Sequence, residues 1–277
     1  MRILFIGDIV GRPGRDIVIK GLPTLTAVHD LDLVIANAEN AAAGFGLTRD
    51  IGEALFRAGV HVITSGNHIW DKKEVLEYMP AEPRLLRPAN YPPAVPGRGS
   101  CVVETGDGRA VGVVNVMGRV FMLDIDDPFA IVQREIEALR HRTRVIVVDF
   151  HAEATSEKIA MGWHLDGKVS AVFGTHTHVQ TADERILPGG TAYLTDAGMT
   201  GPHDSIIGMD VAGSLARFLT AMPSRFEPAT GNPRLNGVIV DADDRTGRAT
   251  AVRRVSYSPQ DIEQLAASGD GVAETRP

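Results

Sequence analysis

A mixed α/β fold is predicted by three features of the sequence. Short Val- and Ile-rich runs alternate with longer amphipathic stretches. The apolar runs are continuous and do not alternate with polar residues, as expected of strands covered on both faces. Two further segments read as strand-turn-strand hairpins, so parallel and antiparallel strands coexist. In chain order, "ILFIGD" (3–8), "LDLVIANAE" (31–39), "VHVITSGN" (60–67), "VIVVDFH" (145–151) and "VSAVFGTH" (169–176) read as strands. The segments "RDIGEALFRAG" (49–59), "DPFAIVQREIEALRHR" (127–142) and "GMDVAGSLARFLTAM" (208–222) carry helical periodicity. Thr48 is placed to cap the first of these helices. "CVVETGDGRAVGVVNVMG" (101–118) turns at Gly-Asp-Gly, and 234–257 reads as a second hairpin. The Pro-rich stretch 78–99 reads as an irregular surface crossing and not as a domain linker.

The chain of 277 residues suffices for one large α/β domain, expected over 1–267, with a small and polar tail, 268–277, expected to be flexible. Lys and Arg number 28 against 35 Asp and Glu, a net charge of -7. A broad basic surface for nucleic acid is thereby disfavoured, and no stable nucleic-acid complex is expected. Small phosphate esters are not excluded, because a bound cation supplies positive charge locally. One cysteine, Cys101, permits neither an intramolecular disulfide nor a Cys-rich zinc module. The N-terminal apolar run is too short for a membrane span and lacks a cleavage site, so it reads as the first strand. A cytoplasmic protein with no membrane partner is expected. Oligomeric state is left open, a homo-oligomer included.

Polar residues recur where strands end: Asp8, then Glu39 and Asn40, then Asn67 and His68, then His151, then His176 and His178. Open α/β sheets bind ligands at the carboxyl ends of their strands. Parallel strands would collect two carboxylates, two amides and four imidazoles in one place. Unpaired polar groups there would cost a few kcal/mol each. A pair of divalent cations would satisfy them together. Mixed oxygen and imidazole donors suit iron, manganese or zinc better than magnesium. Taken singly, each residue has an ordinary explanation as a cap, an Asx turn or a core histidine. The ordered set of five strand ends does not. His29, His61, His141 and His164 lie away from strand ends and read as non-catalytic. Gly201 and His203, in a Gly-rich loop after another strand, are candidates for binding a phosphate.

The order Asp, acid, Gly-Asn-His, His, Gly-x-His-x-His resembles that of the calcineurin-like metallophosphoesterases. "GDIVGRPGR", "ANAENAAAGFGLT", "TSGNHIWD", "HAEATSEK" and "GTHTHVQTADERILPGGTAYLTDAGMTGP" are similar to the bacterial 2′,3′-cyclic-nucleotide 2′-phosphodiesterase branch in particular. The resemblance covers most of the chain and implies a four-layer αββα fold, with two mixed sheets between helices. Val10 stands where most of the superfamily has a His, and Glu39 where most have a bridging Asp. Both departures are shared by the cyclic-nucleotide branch. The resemblance implies two transition-metal ions per chain, iron or manganese, with zinc also compatible. Asp8, Glu39, Asn40 and His178 would hold one ion. Glu39, Asn67, His151 and His176 would hold the other, with Glu39 bridging. Two such ions about 3.5–4 Å apart clamp a phosphoryl group and acidify water for in-line attack.

The implied activity is hydrolysis of 2′,3′-cyclic nucleotides at the 2′ bond, giving a 3′-phosphate, with His68 as general acid and Asp71 as its partner. Two other functions remain in view: a phosphomonoesterase with the same metals, and a metal-binding regulatory protein with weak phosphodiesterase activity. The retained His68 weighs against the second, since pure binding has no use for a proton donor. No dinucleotide-type Gly fingerprint follows the first strand, which weighs against an oxidoreductase.

Overall fold

The structure is a computed structural model and describes residues 1–223 and 226–268. Two six-stranded sheets lie face to face. In the first, β1 (Arg2–Ile6), β2 (Leu33–Asn37) and β3 (Val62–Thr64) are parallel. The long β11 (Pro233–Ala242) runs antiparallel to β1 and also pairs with β10 (Gly201–Pro202) and β12 (Ala249–Tyr257). In the second, β5 (Ala110–Met117), β6 (Ile146–His151), β7 (Ala171–Thr175) and β9 (Ala192–Leu194) are parallel. Antiparallel β4 (Ser100–Glu104) and β8 (Arg185–Ile186) close its two edges. β4–β5 and β11–β12 are the two hairpins expected from the sequence.

Alternation along each strand builds three apolar layers. Leu4, Ile6 and Val34 point outward against Val18, Leu22 and Leu25 of α1 (Gly11–His29) and Ile262 of α7 (Pro259–Ser268). α2 (Arg49–Arg57) and α3 (Val75–Ala81) cover the same face. Ile3, Phe5 and Ile35 point inward and meet Val113, Val147 and Phe173 of the second sheet. The Phe5 and Phe173 rings are 5.5 Å apart. Val114, Val148 and Phe150 on the far side pack against α4 (Pro128–Leu139) and α5 (Thr155–Leu165). This is the four-layer αββα arrangement, and it explains why the strand sequences carry apolar residues on both faces. Complete burial of one such Leu or Phe contributes about 1.5–3 kcal/mol.

Register sets the site. Asn37 pairs with Thr64, and His151 with Thr175, so these strands finish level. The five polar strand ends divide between two sheets, three in the first and two in the second, and meet across the seam. The helix periodic over 49–57 begins as expected, with Thr48 Oγ1 accepting from the Ile51 N–H. Beyond Ser268, the residues of the expected tail lie outside the described residues.

Candidate metal centre

Asp8 follows β1, Glu39 and Asn40 follow β2, and Asn67 and His68 follow β3. His151 ends β6, and His176 follows β7. Their donor atoms converge. His151 Nε2 lies 3.1 Å from Glu39 Oε1, 3.0 Å from Asn67 Oδ1 and 3.1 Å from His176 Nδ1. The ligand atoms of Glu39, His151 and His176 all fall within 4.8 Å of one another. Donors about 2.1 Å from a common ion sit about 3 Å from their neighbours, so these separations suit a cation. Gly66 makes the convergence possible. Any Cβ there would run into the His151 imidazole.

The remaining candidates point the same way. Asp8 Oδ1 and Asn40 Oδ1 are buried without a hydrogen-bond partner. Leaving such acceptors unpaired costs about 1–3 kcal/mol each, and a cation would satisfy both. Asn40 cannot turn its oxygen away, because its Nδ2 donates to Gly44 O at 3.0 Å. His178 Nδ1 donates to Ile207 O at 2.8 Å, which leaves Nε2 as the free donor atom. Both histidines after β7 adopt positive φ, +100° at His176 and +65° at His178. Such backbone costs about 1–3 kcal/mol per residue and persists only where it is held. Thr177 between them is tied by its N–H and hydroxyl to Asp196 Oδ2, which also pairs with the buried Lys158 at 2.6 Å. The His176 N–H donates to Asp8 Oδ2.

Beneath the donors lies a polar layer that sequence reasoning missed. Asp149, wholly buried, accepts from Asn37 Nδ2 at 3.0 Å, Thr175 Oγ1 at 2.7 Å and Thr64 Oγ1. Thr175 therefore has its hydroxyl oxygen free to accept from His151 Nδ1 at 2.9 Å. That bond fixes the tautomer with Nε2 bare and aimed at the donor cluster. Asn37 also uses its Oδ1 to hold the Glu39 N–H. The available signal was a lone acid in the apolar run "VIVVDFH", since a carboxylate buried there must have dedicated donors.

Electrostatics describe a site balanced by a proton when no cation is bound. Burial disfavours a charged His151, yet the carboxylates of Glu39, Asp8 and Asp149 outweigh it and raise the imidazole to about 9. Burial would raise Glu39 too, but His151 and the His68 N–H hold it well below the usual carboxylate range. Burial pushes Asp149 up to about 7 and also raises Asp8. Burial, with the neighbouring His151, lowers His176 to about 3.

His68 stands at the edge of this cluster. Its N–H donates to Glu39 Oε2 at 2.9 Å, and its Nδ1 meets Asp71 Oδ2 at 2.9 Å. Phe45 lies edge-on to the ring at 5.0 Å. A cavity of about 780 Å3 opens over Glu39, Asn40, His68, His176 and His178. Gly201 and His203 are not brought to it. Gly201 packs in β10 against Val10, and both ring nitrogens of His203 are engaged, with Gly201 O and Asn236 Nδ2. Glu153, by contrast, reaches the cavity and sits 3.1 Å from His176 Nε2.

Two facing sheets whose strand ends gather a donor set of this kind define a metallophosphoesterase-type protein. The profile of the YmdB-like protein family matches residues 4–255, and the chain belongs to that family. It is 51% identical over 255 residues to a Bacillus subtilis (strain 168) protein named 2′,3′-cyclic-nucleotide 2′-phosphodiesterase, covering 92% of this chain and 96% of that one. Among solved structures, a hypothetical protein of Thermus thermophilus superposes with a TM-score of 0.87 at 45% identity, over 93% of this chain and 99% of that one. A Mycoplasma pneumoniae protein described as a novel phosphatase also gives a TM-score of 0.87, at 36% identity, over 95% of this chain and 96% of that one.

Proposed function

We propose that this protein is a metal-dependent phosphodiesterase that opens 2′,3′-cyclic nucleotides at the 2′ bond and releases a 3′-phosphate. The observation that carries the reading is the buried convergence of Glu39, His151 and His176, with unpartnered acceptors on Asp8 and Asn40 beside it. The name of the Bacillus subtilis relative supplies the substrate class. Asp8, Glu39, Asn40 and His178 would hold one cation, and Glu39, Asn67, His151 and His176 a second, with iron or manganese the expected metals. Cations held there would supply charge neutralisation of the phosphoryl group and acidification of water.

The chain's own residues then have separate tasks. His151 is oriented by Thr175 and Asp149 and keeps its proton on Nδ1. Glu39 would serve both donor sets. His68 supplies the proton for the departing 2′ oxygen. Asp71 accepts from Nδ1, so the proton for transfer is the one on Nε2. Phosphorus NMR of the product from a 2′,3′-cyclic nucleotide tests the reading, using protein whose metals have been quantified. A 3′-phosphate is expected. A dominant 2′-phosphate overturns the regiochemistry, and turnover of phosphomonoesters alone overturns the phosphodiesterase assignment.

A further inference from the structure

We propose that Phe218 and Arg217, with Phe226, form a nucleobase subsite above the metal centre. This deepens the cyclic-nucleotide reading and rests on it. The cavity floor is polar and charged, but its opposite wall is of another character. That wall comes from α6 (Val211–Thr220) and from Phe226. Phe218 lines the cavity and is nonetheless 79% exposed, so one face of its ring has no protein against it. The Arg217 guanidinium lies over the Phe226 ring at 5.0 Å from its centroid, and no carboxylate pairs with it among the described residues.

An exposed aromatic ring and a planar cation held over a second ring match a flat heterocycle with polar edges. A base offers a π-face for Phe218, and ring nitrogens and exocyclic groups for Arg217, which Phe226 holds in place. An aliphatic ligand would leave the guanidinium unanswered. The cavity, about 780 Å3, lies within the range of small-ligand sites. A phosphate at the donor set and a base under α6 would place the ribose between them.

The experiment compares 2′,3′-cyclic AMP with methyl riboside 2,3-cyclic phosphate, which has the same strained ester and no base. The unaltered, metal-loaded protein should prefer the nucleotide in kcat/KM. Phe218→Ala should reduce that preference roughly ten-fold, chiefly through KM for the nucleotide, and Phe218→Tyr should retain it. Because Phe218 is mostly exposed, these replacements do not threaten the fold. Equal kcat/KM for the two esters in the unaltered protein, or an equal fall for both in Phe218→Ala, overturns the subsite and leaves the phosphodiesterase reading standing. Hydrolysis of neither ester overturns that reading and the subsite with it.

Discussion

Asp8, Glu39 and His151 of the donor set are at most 1% exposed, whereas Phe218 on the cavity wall is 79% exposed and Leu219 beside it 75%. Donor side chains are each held by a second partner. Thr175 orients His151, Gly44 O holds Asn40, and Ile207 O holds His178. Most of helix α6 faces outward. Val211, Leu215, Phe218 and Leu219 follow helical spacing and are all exposed. The contrast separates two kinds of work. Chemistry needs donors fixed to a fraction of an ångström, which burial and supporting hydrogen bonds supply. Accepting a ligand needs surface that is still free to be covered.

The floor should be the harder to alter. Glu39→Gln, measured by elemental analysis and steady-state kinetics, should strip bound metal and lower kcat/KM on the order of 10³-fold or more, since a neutral amide bridges poorly and several kcal/mol of charge stabilisation are lost. Retention of metal and rate would break the contrast at its centre. His68→Ala should keep metal and lower kcat by about 10²–10⁴-fold, with a much smaller loss on a nitrophenyl diester, whose leaving group needs little protonation. Loss of metal would make His68 a ligand. Equal losses on both substrates would make it a phosphate-positioning group. Asp149→Asn removes an acceptor without touching the donor set and should weaken metal binding by about 10–100-fold, read by chelator competition.

Stripping the metal should expose the buried charges to pH. His151 is raised in the folded state from 6.5 to about 9, so its contribution is present below pH 6.5 and is lost as pH rises through 9. Asp149, raised from 3.8 to about 7, acts in the same direction over a lower window. Chelated protein should therefore melt at a lower temperature at pH 9 than at pH 6, and metal loading at pH 7.5 should release protons. A flat melting profile for chelated protein would mean that the site does not carry its charge this way. The smallest effect is expected on the outer face of α6. Leu219→Ser should change stability by no more than about 0.5 kcal/mol in a urea titration, with kcat/KM unaltered.

Much of this protein was legible in the sequence itself. Continuous apolar runs announce strands buried on both faces, because hydrophobic periodicity is a local property of the chain. Gly-Asp-Gly marks the β4–β5 turn, and Thr48 marks the start of α2, for equally local reasons. The ordered polar residues Asp8, Glu39, Asn40, Asn67, His68, His151, His176 and His178 were visible as candidates, since no strand needs them where they stand. Helix α1 is not legible in the sequence, because Pro23 in its interior is ordinarily a breaker. Only the tertiary structure decided how the five strand ends divide between two sheets and which atoms meet. It turned His203 toward Asn236 and away from the cavity, placed Asp149 beneath His151, and left one face of Phe218 open above the floor. Those outcomes depend on contacts between residues as distant in sequence as Asn37 and Asp149, whose pairing follows from sheet register and from the meeting of two sheets, neither of which is encoded in any short stretch of sequence.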